Sequence, residues 1–213
     1  AERVAQESGA TLDAIVGDDL LTQNFPMIHA VGRASKEAPR LLHLSWGDAS
    51  APRVALVGKG VCFDTGGLDI KPSAGMRLMK KDMGGAAHAL ALAQMVKLDL
   101  FLPVVENAIS GDAFRPGDVI KSRQGLTVEI DNTDAEGRLI LADALTRACE
   151  DKPALLLDFA TLTGAARTAL GPEIPPFYAN DEALAADLAR ASQEMSDPIW
   201  RMPLWDGYET DMD

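Results

Sequence analysis

The stretch RVALVGKGVCFDTGGLDIKP (53–72) decides the fold class of this chain of 213 residues. Its first part, residues 53–63, is an apolar run, and its second part is rich in glycine and carries charged side chains. Apolar runs of this length, bounded by glycine and proline, are typical of buried strands in largely parallel sheets. We therefore predict a strand that contains Lys59 and leads into a loop carrying Asp64 and Lys71.

Strands and helices alternate along the rest of the chain. The same criteria predict further strands at 40–47, 101–110 and 153–164, a turn at 47–52, and a hairpin at 119–130. Helical spacing of apolar residues predicts helices at 83–98, 138–150 and 183–195. This alternation predicts an α/β fold with a mixed, mostly parallel sheet flanked by helices on both faces. We expect a single domain over 1–213, with a lead-in helix region at 1–25.

The charge of the chain limits the choice of partners. Its 32 acidic and 20 basic residues give a formal net charge of −12. A strongly acidic total argues against nucleic acid or an anionic membrane surface as the main partner. No window approaches the roughly 18 consecutive apolar residues that a membrane-spanning helix needs. We expect no membrane association.

The cysteines indicate a reducing compartment. Cys62 and Cys149 lie far apart and form no CxxC pattern, and no signal-peptide pattern opens the sequence. Disulfides are rare in the cytosol, where thiols are kept reduced. We therefore expect free thiols and a cytoplasmic protein.

Charged residues collect where predicted strands end. Beyond 53–72, the stretch MRLMKKDMGGAA contains Asp82, and NTDAEGR contains Asp134, Glu136 and Arg138. In open α/β sheets, ligands bind beyond the carboxyl ends of the strands. We therefore expect these clusters to meet in one cleft, with the two acids of NTDAEGR on the same side of an extended loop.

Four carboxylates in one partly buried cleft need a compensating charge, because like charges raise one another's pKa values. Divalent cations supply it: carboxylate oxygens suit Mg²⁺ and Mn²⁺ and also bind Zn²⁺, and two such ions can share bridging carboxylates. The three histidines show no metal-binding spacing such as HExxH. Taken singly, an acid in a glycine-rich loop is more often a turn former or helix cap than a ligand, and only the combination favours metal. The glycines match neither the P-loop nor the dinucleotide-binding pattern, which argues against a nucleotide.

Five motifs, in this order, resemble the catalytic domain of the leucyl (cytosol) aminopeptidases. They are VGKGVCFDTGGLDIKP (57–72), DMGGAA (82–87), RPGDV (115–119), NTDAEGRL (132–139) and ATLTG (160–164). The resemblance implies a phosphorylase/hydrolase-like α/β domain. It also implies that the chain is a fragment without the family's N-terminal domain and without the C-terminal end of the catalytic domain.

The resemblance implies a ligand set for two divalent ions, Zn²⁺ or Mn²⁺ and possibly Mg²⁺. One ion would be held by Asp64, Asp134 and Glu136, and the other by Lys59, Asp64, Asp82 and Glu136. Lys59 would then coordinate as a neutral amine, because an ammonium group has no lone pair to donate.

Other residues receive roles from the same resemblance. Lys71 would stay cationic and hydrogen-bond the oxygen of the scissile carbonyl, and Arg138 would hold a bicarbonate ion that acts as general base. The pocket for the first side chain of the substrate would be lined by Met79, Thr161, Leu162 and Gly164.

The implied activity is that of a two-metal aminopeptidase. Its substrates would be peptides with a free N-terminal amine, from which it would remove leucine or another apolar residue, and the whole protein would form a homo-hexamer. Two alternatives stay open at this point. One is a non-catalytic DNA-binding or regulatory role, and the other is a metal-binding fragment without activity.

Overall fold

A computed structural model of the chain describes residues 1–47, 52–96 and 98–211. The chain packs as two compact units, Ala1–Leu162 and Thr163–Asp213. In the first unit the helices are α1 (Glu2–Ser8), α2 (Asp19–Thr22), α3 (Pro26–Gly32), α4 (Ser73–Met76), α5 (Gly84–Val96) and α6 (Glu136–Glu150). Its strands are β1 (Thr11–Val16), β2 (Arg40–Ser45), β3 (Val54–Gly58), β4 (Gly60–Asp64), β5 (Asp99–Asn107), β6 (Val119–Lys121), β7 (Thr127–Glu129) and β8 (Leu155–Phe159).

A six-stranded sheet forms the centre of the first unit. Its strands lie in the order β1-β2-β5-β3-β8, and β4 pairs with β5 outside this path. The strands β3, β4 and β8 belong to parallel pairings, whereas β2 is antiparallel to both β1 and β5. The sheet is therefore mixed and mostly parallel, which confirms the predicted fold class.

The two faces of the sheet carry separate cores. On β3, Ala55 and Val57 pack with buried residues of α3 and α6, while Leu56 and Val54 pack with residues of α1 and α5. Alternate side chains of a strand point to opposite faces of a sheet, so both faces of β3 are covered. The prediction of helices on both faces is confirmed.

The apolar run at 53–63 forms two strands instead of the single strand that we predict from the sequence. β3 pairs with β5 over Ala55–Val57, and β4 pairs with the later part of β5 from Gly60 onward. The interruption falls at Lys59, whose N–H donates to the Phe159 carbonyl at 2.9 Å. The ladder is broken there because the main chain of Lys59 bonds to the end of β8 and not to β5.

The start of the chain also differs from expectation. Residues 11–16 of the predicted lead-in helix region form β1, which pairs along its whole length with β2. Thr11, Ile15 and Val16 are β-branched, and such residues fit a half-buried strand better than a helix. The hairpin around Gly125 and the two long helices of the first unit appear where predicted, with α6 beginning earlier, whereas the turn at 47–52 falls mostly outside the described residues.

Asp143 fixes the position of α6. It is fully buried, and its carboxylate accepts hydrogen bonds from the backbone N–H groups of Met27 (2.9 Å), Ile28 (3.4 Å) and Arg123 (2.8 Å). Burial raises the pKa of Asp143 in spite of these donors. The carboxylate ties α6 to the start of α3 and to the hairpin turn, and so helps to fix the helix whose first residue is Glu136.

The second unit contains α7 (Ala165–Leu170), α8 (Glu182–Glu194) and the short parallel strands β9 (Pro176–Phe177) and β10 (Trp200–Arg201). The predicted helix at 183–195 is confirmed by α8. In the described part of the chain, no helix has the length and apolarity that crossing a membrane requires. Cys62 and Cys149 are free thiols, as expected.

The start of α5 packs directly on the end of β8. A Cβ atom added to Gly85 would overlap the carbonyl oxygen of Phe159, which is backbone and cannot move aside cheaply. We therefore expect Gly85→Ala to destabilise the protein by about 1–3 kcal/mol or more, as overpacking typically does. Thermal unfolding checks this. Gly75→Ala is the control, because its Cβ would meet nothing within 4 Å, and a melting temperature of Gly85→Ala equal to that of the control would contradict the account.

Candidate metal centre

Three buried carboxylates meet at the carboxyl edge of the sheet. Asp64 ends β4, Asp82 follows a 3-10 helix at Met79–Lys81, and Glu136 is the first residue of α6. Each is at most 2% exposed, and one oxygen from each lies within 4.8 Å of the others. The structure therefore brings together three of the four acids that the sequence places in one cleft.

The amine of Lys59 lies within this cluster. Its Nζ is 2.8 Å from Asp82 Oδ2 and 3.0 Å from Glu136 Oε1, and it donates to the carbonyl oxygen of Thr161 at 3.2 Å. A side chain at position 137 would leave no room for the Lys59 amine, because a Cβ added to Gly137 would lie 2.8 Å from Lys59 Nζ. The absence of a side chain at Gly137 thus allows Lys59 to reach the carboxylates.

Asp134 and Lys71 form the outer side of the same site. Lys71 Nζ lies 2.9 Å from Asp64 Oδ2 and 2.5 Å from Asp134 Oδ1. Burial alone would lower the pKa of Lys71, but the Asp134 and Asp64 carboxylates outweigh burial and hold the pKa above its ordinary range. Lys71 is therefore a cation at neutral pH.

The backbone around Asp134 and Glu136 is helical, and the expectation of an extended loop is wrong. Asp134 lies in a 3-10 helix, Thr133–Ala135, and α6 begins at Glu136, two residues before the predicted start. The side chain of Asn132 caps this turn by accepting from the Asp134 N–H at 2.8 Å. Residues two apart on an α-helix point roughly 200° apart. Asp134 accordingly contacts Lys71, whereas Glu136 contacts Lys59.

The site carries more negative than positive charge. Four carboxylates face two lysine amines at 3.0 Å or less, which leaves an excess of two negative charges when these six groups are ionised; the exposed Lys81 amine lies farther away, 3.9 Å from Asp82 Oδ1. For Glu136, burial is the main cause that raises its pKa to about 7, and the charges of Asp64 and Asp82 add to it against the lowering effect of Lys59. The ionised form of Glu136 therefore needs further positive charge nearby.

The residues of the site fit divalent metal ions. Glu136 Oε1 and Asp134 Oδ1 are buried, and within the described residues neither accepts a hydrogen bond of good geometry, although lysine amines lie near both. Each of these two oxygens faces one lysine amine and could also accept a metal ion. A set of carboxylates with one amine is a donor set that Mg²⁺, Mn²⁺ and Zn²⁺ accept.

Arg138 lies apart from the cluster. It is exposed in the first turn of α6, and no ion pair joins it to a carboxylate in the described part of the chain. The structure therefore does not bring its guanidinium group together with the four acids, and its role stays a prediction.

The residues predicted for the substrate pocket lie in different surroundings. Met79 is half-buried at the start of the 3-10 helix before Asp82, and Leu162 is 45% exposed. The hydroxyl of Thr161 donates to Asp82 Oδ1 at 2.7 Å. Gly164 belongs to the second unit, where it precedes α7.

Three residues that contact the site are missing from the site that the sequence predicts. They are Asp69, Asn107 and Thr133, whose side chains join the loop after β4 to the end of β5 and to the turn before α6. One signal is available in the sequence: Asn107 is a polar residue inside a predicted buried strand, 101–110, near the edge of the sheet where ligands bind.

Comparison with known proteins agrees with this architecture. The model of the cytosol aminopeptidase family, catalytic domain, matches residues 1–213. Peptidase B from Pectobacterium carotovorum subsp. carotovorum is 49% identical over 199 residues, which cover 88% of this chain and 46% of that protein. The chain thus spans about half the length of the curated relatives it matches.

Solved structures show the same fold. The crystal structure of the cytosol aminopeptidase from Coxiella burnetii matches with a TM-score of 0.96 and 54% identity, over 100% of this chain and 48% of that one. The leucyl aminopeptidase from Trypanosoma brucei in complex with bestatin matches with a TM-score of 0.91 and 37% identity, over 97% of this chain and 42% of that one. Since the family model covers the whole sequence and these relatives agree with it, the chain belongs to the cytosol aminopeptidase family, a family of metallo-aminopeptidases.

Proposed function

We propose that this chain carries the catalytic centre of a two-metal aminopeptidase that removes an N-terminal leucine or another apolar residue from peptides. The observation that carries the proposal is the buried cluster of Asp64, Asp82 and Glu136 around the Lys59 amine. Buried acids at this density need cations to stay ionised. Family membership identifies the reaction class in which such a centre works.

The two metal ions would share ligands. Asp64, Asp134 and Glu136 would hold one ion, and Lys59, Asp64, Asp82 and Glu136 would hold the other. The charges support two ions better than one. With Lys59 as a neutral amine, the four carboxylates and Lys71 leave three negative charges, so that one divalent ion would leave the buried site negative.

When bound, such a metal pair supplies Lewis-acid polarisation of the scissile carbonyl and lowers the pKa of a water molecule. The contribution of the chain's own residues is electrostatic. Lys71 is held as a cation by Asp64 and Asp134, so it can donate a hydrogen bond to the substrate oxygen on which negative charge develops. The preference for a free N-terminus follows from donor chemistry, because an amine is a good metal ligand and an amide nitrogen is a poor one.

Substrate selection is a separate part of the proposal. Met79, Thr161, Leu162 and Gly164 would line the pocket for the first side chain. The partly exposed apolar side chains of Met79 and Leu162 support a preference for an apolar residue such as leucine. The family model spans both units, and we propose that together they belong to one catalytic domain.

Arg138 would hold a bicarbonate ion, which acts as a general base when bound. Two facts support this role. Its guanidinium group is exposed, and the residue lies in the same helical turn as Glu136, close to the site along the chain.

The full-length protein would be a cytoplasmic homo-hexamer that acts on peptides, and light scattering of the purified protein tests the assembly.

Family membership does not favour the DNA-binding alternative. Hydrolysis of leucyl-p-nitroanilide, measured for this chain and for the full-length protein, separates an active enzyme from an inactive metal-binding fragment. If the full-length protein fails to hydrolyse it with Zn²⁺ or Mn²⁺ present, the preference for leucine is wrong.

Replacing Glu136 tests the shared metal ligand. Glu136→Ala removes an oxygen donor from both proposed ions, and we expect the protein to lose bound metal and nearly all peptidase activity. Elemental analysis after gel filtration and the leucyl-p-nitroanilide assay measure the two effects. Glu129→Ala, which changes an exposed acid on β7, is the matched control. Two bound ions and normal turnover in Glu136→Ala would rule out the proposed ligand set.

Replacing Lys71 separates catalysis from metal binding. Lys71→Ala removes one hydrogen-bond donor to the developing negative charge, and we expect kcat to fall by roughly 10²–10³, as loss of such a donor typically causes. Metal content is expected to stay near that of the parent protein. Lys80→Ala, at an exposed lysine of the neighbouring 3-10 helix, controls for loss of charge. An unchanged kcat in Lys71→Ala would contradict the assigned role.

A further inference from the structure

We propose that the buried side chains of Asn107 and Thr133, together with the exposed Asp69, form a polar latch that positions Asp64 and the turn before α6 for metal binding. The proposal rests on the proposed function for the identity of the ligands. It assigns none of the three residues a contact with metal or substrate. They are positioning residues, which act through the loop after β4 and through the turn at 132–136.

Asn107 joins two of the segments that carry carboxylates. Its side chain is fully buried at the end of β5, and its amide nitrogen donates to Asp64 Oδ1 at 2.9 Å and to the Thr133 carbonyl oxygen at 3.1 Å. The main-chain carbonyl oxygen of Asn107 accepts hydrogen bonds from the N–H and from the hydroxyl of Thr65, at 3.1 and 2.7 Å. Asn107 therefore links the segment that follows β4 to the turn before α6.

The donors on Asp64 leave one of its oxygens for other partners. Oδ1 accepts from the Gly66 N–H at 2.9 Å as well as from Asn107, whereas Oδ2 faces the amine of Lys71. Two donors on one oxygen fix the plane of the carboxylate. Outer partners of this kind orient metal ligands and are worth roughly 10–100-fold in metal affinity or activity.

The chemistry of the Asn107 amide supports a specific role. Both groups that it contacts, Asp64 Oδ1 and the Thr133 carbonyl, are acceptors, so only the NH₂ group can serve them. Its Oδ1 is buried and has no hydrogen-bond partner among the described residues. That orphaned oxygen costs stability, which an apolar residue of similar size would avoid. The two N–H donors of Asn107, which an apolar residue lacks, compensate for this cost.

Thr133 and Asp69 close the latch on the other side. The Asp69 carboxylate accepts from the Thr133 N–H at 2.7 Å, and the Thr133 hydroxyl accepts from the Asp69 N–H at 2.9 Å. The proton of that hydroxyl can go to the Gly66 carbonyl at 2.7 Å or to Asp69 Oδ2 at 2.9 Å. Thr133 is fully buried. Its hydroxyl therefore pins the loop that carries Lys71 to the turn that carries Asp134.

A pair of threonine variants separates positioning from simple stability. Thr133→Val keeps the shape of the side chain and removes the hydroxyl, whereas Thr133→Ser keeps the hydroxyl and removes a methyl group. Asn107→Leu removes both amide donors at similar volume. Val105→Ala, in the buried part of the same strand, β5, is a control that destabilises the core without touching the latch.

The first measurement is binding of Mn²⁺ alone to chelator-stripped full-length protein by titration calorimetry. We expect Thr133→Val and Asn107→Leu to bind Mn²⁺ roughly 10–100-fold more weakly than the parent. Thr133→Ser and Val105→Ala are expected to lose thermal stability but to bind Mn²⁺ like the parent. Parent-like binding by Thr133→Val, or equal losses in Thr133→Val and Thr133→Ser, would overturn the proposal.

The second measurement needs no metal. Amide hydrogen exchange of peptides from residues 64–71 is expected to speed up in metal-free Thr133→Val and Asn107→Leu, and to stay slow in Thr133→Ser. Unchanged exchange in Thr133→Val would overturn the latch. A parent protein that bound no Mn²⁺ would instead count against the proposed function, and hydrogen exchange would still decide whether the latch exists.

Discussion

Like charges buried side by side are the constraint on which the rest of this structure depends. Asp64, Asp82 and Glu136 are almost completely shielded from water, and one oxygen from each lies within 4.8 Å of the others. The Lys59 amine pairs with Asp82 and Glu136, and the Lys71 amine pairs with Asp64. Burial with too little positive charge raises the pKa of Glu136, so the arrangement favours cations that the chain itself does not supply.

The fold meets this constraint by bringing several chain segments to one edge of the sheet. The break between β3 and β4 places Lys59 beside the end of β8, and the register of β4 with β5 sets Asp64 opposite Asn107. Close packing of α5 on β8 and the bonds from Asp143 hold the helices on either face.

The acidic clusters and their meeting at one sheet edge could be predicted from the sequence. Several carboxylates that follow strand ends together indicate a metal site, because the carboxyl ends of parallel strands meet at the same edge of the sheet. The helical turn around Asp134 could not, because it depends on the cap from Asn132 and on the packing of α6. The strand β1 depends on pairing with β2, which local periodicity does not report. The roles of Asn107 and Thr133 could not be predicted from the sequence, because they come from contacts between segments that are distant along the chain.

The central claim is that two divalent ions complete the charge of this site. Anomalous diffraction at the zinc and manganese edges, from crystals of full-length protein purified without chelator, tests it most directly. The account predicts two peaks, with Asp64 and Glu136 contacting both and Lys59 contacting one. An active protein with no anomalous peak, in which the Lys59 amine still pairs with Asp82 and Glu136, would contradict it.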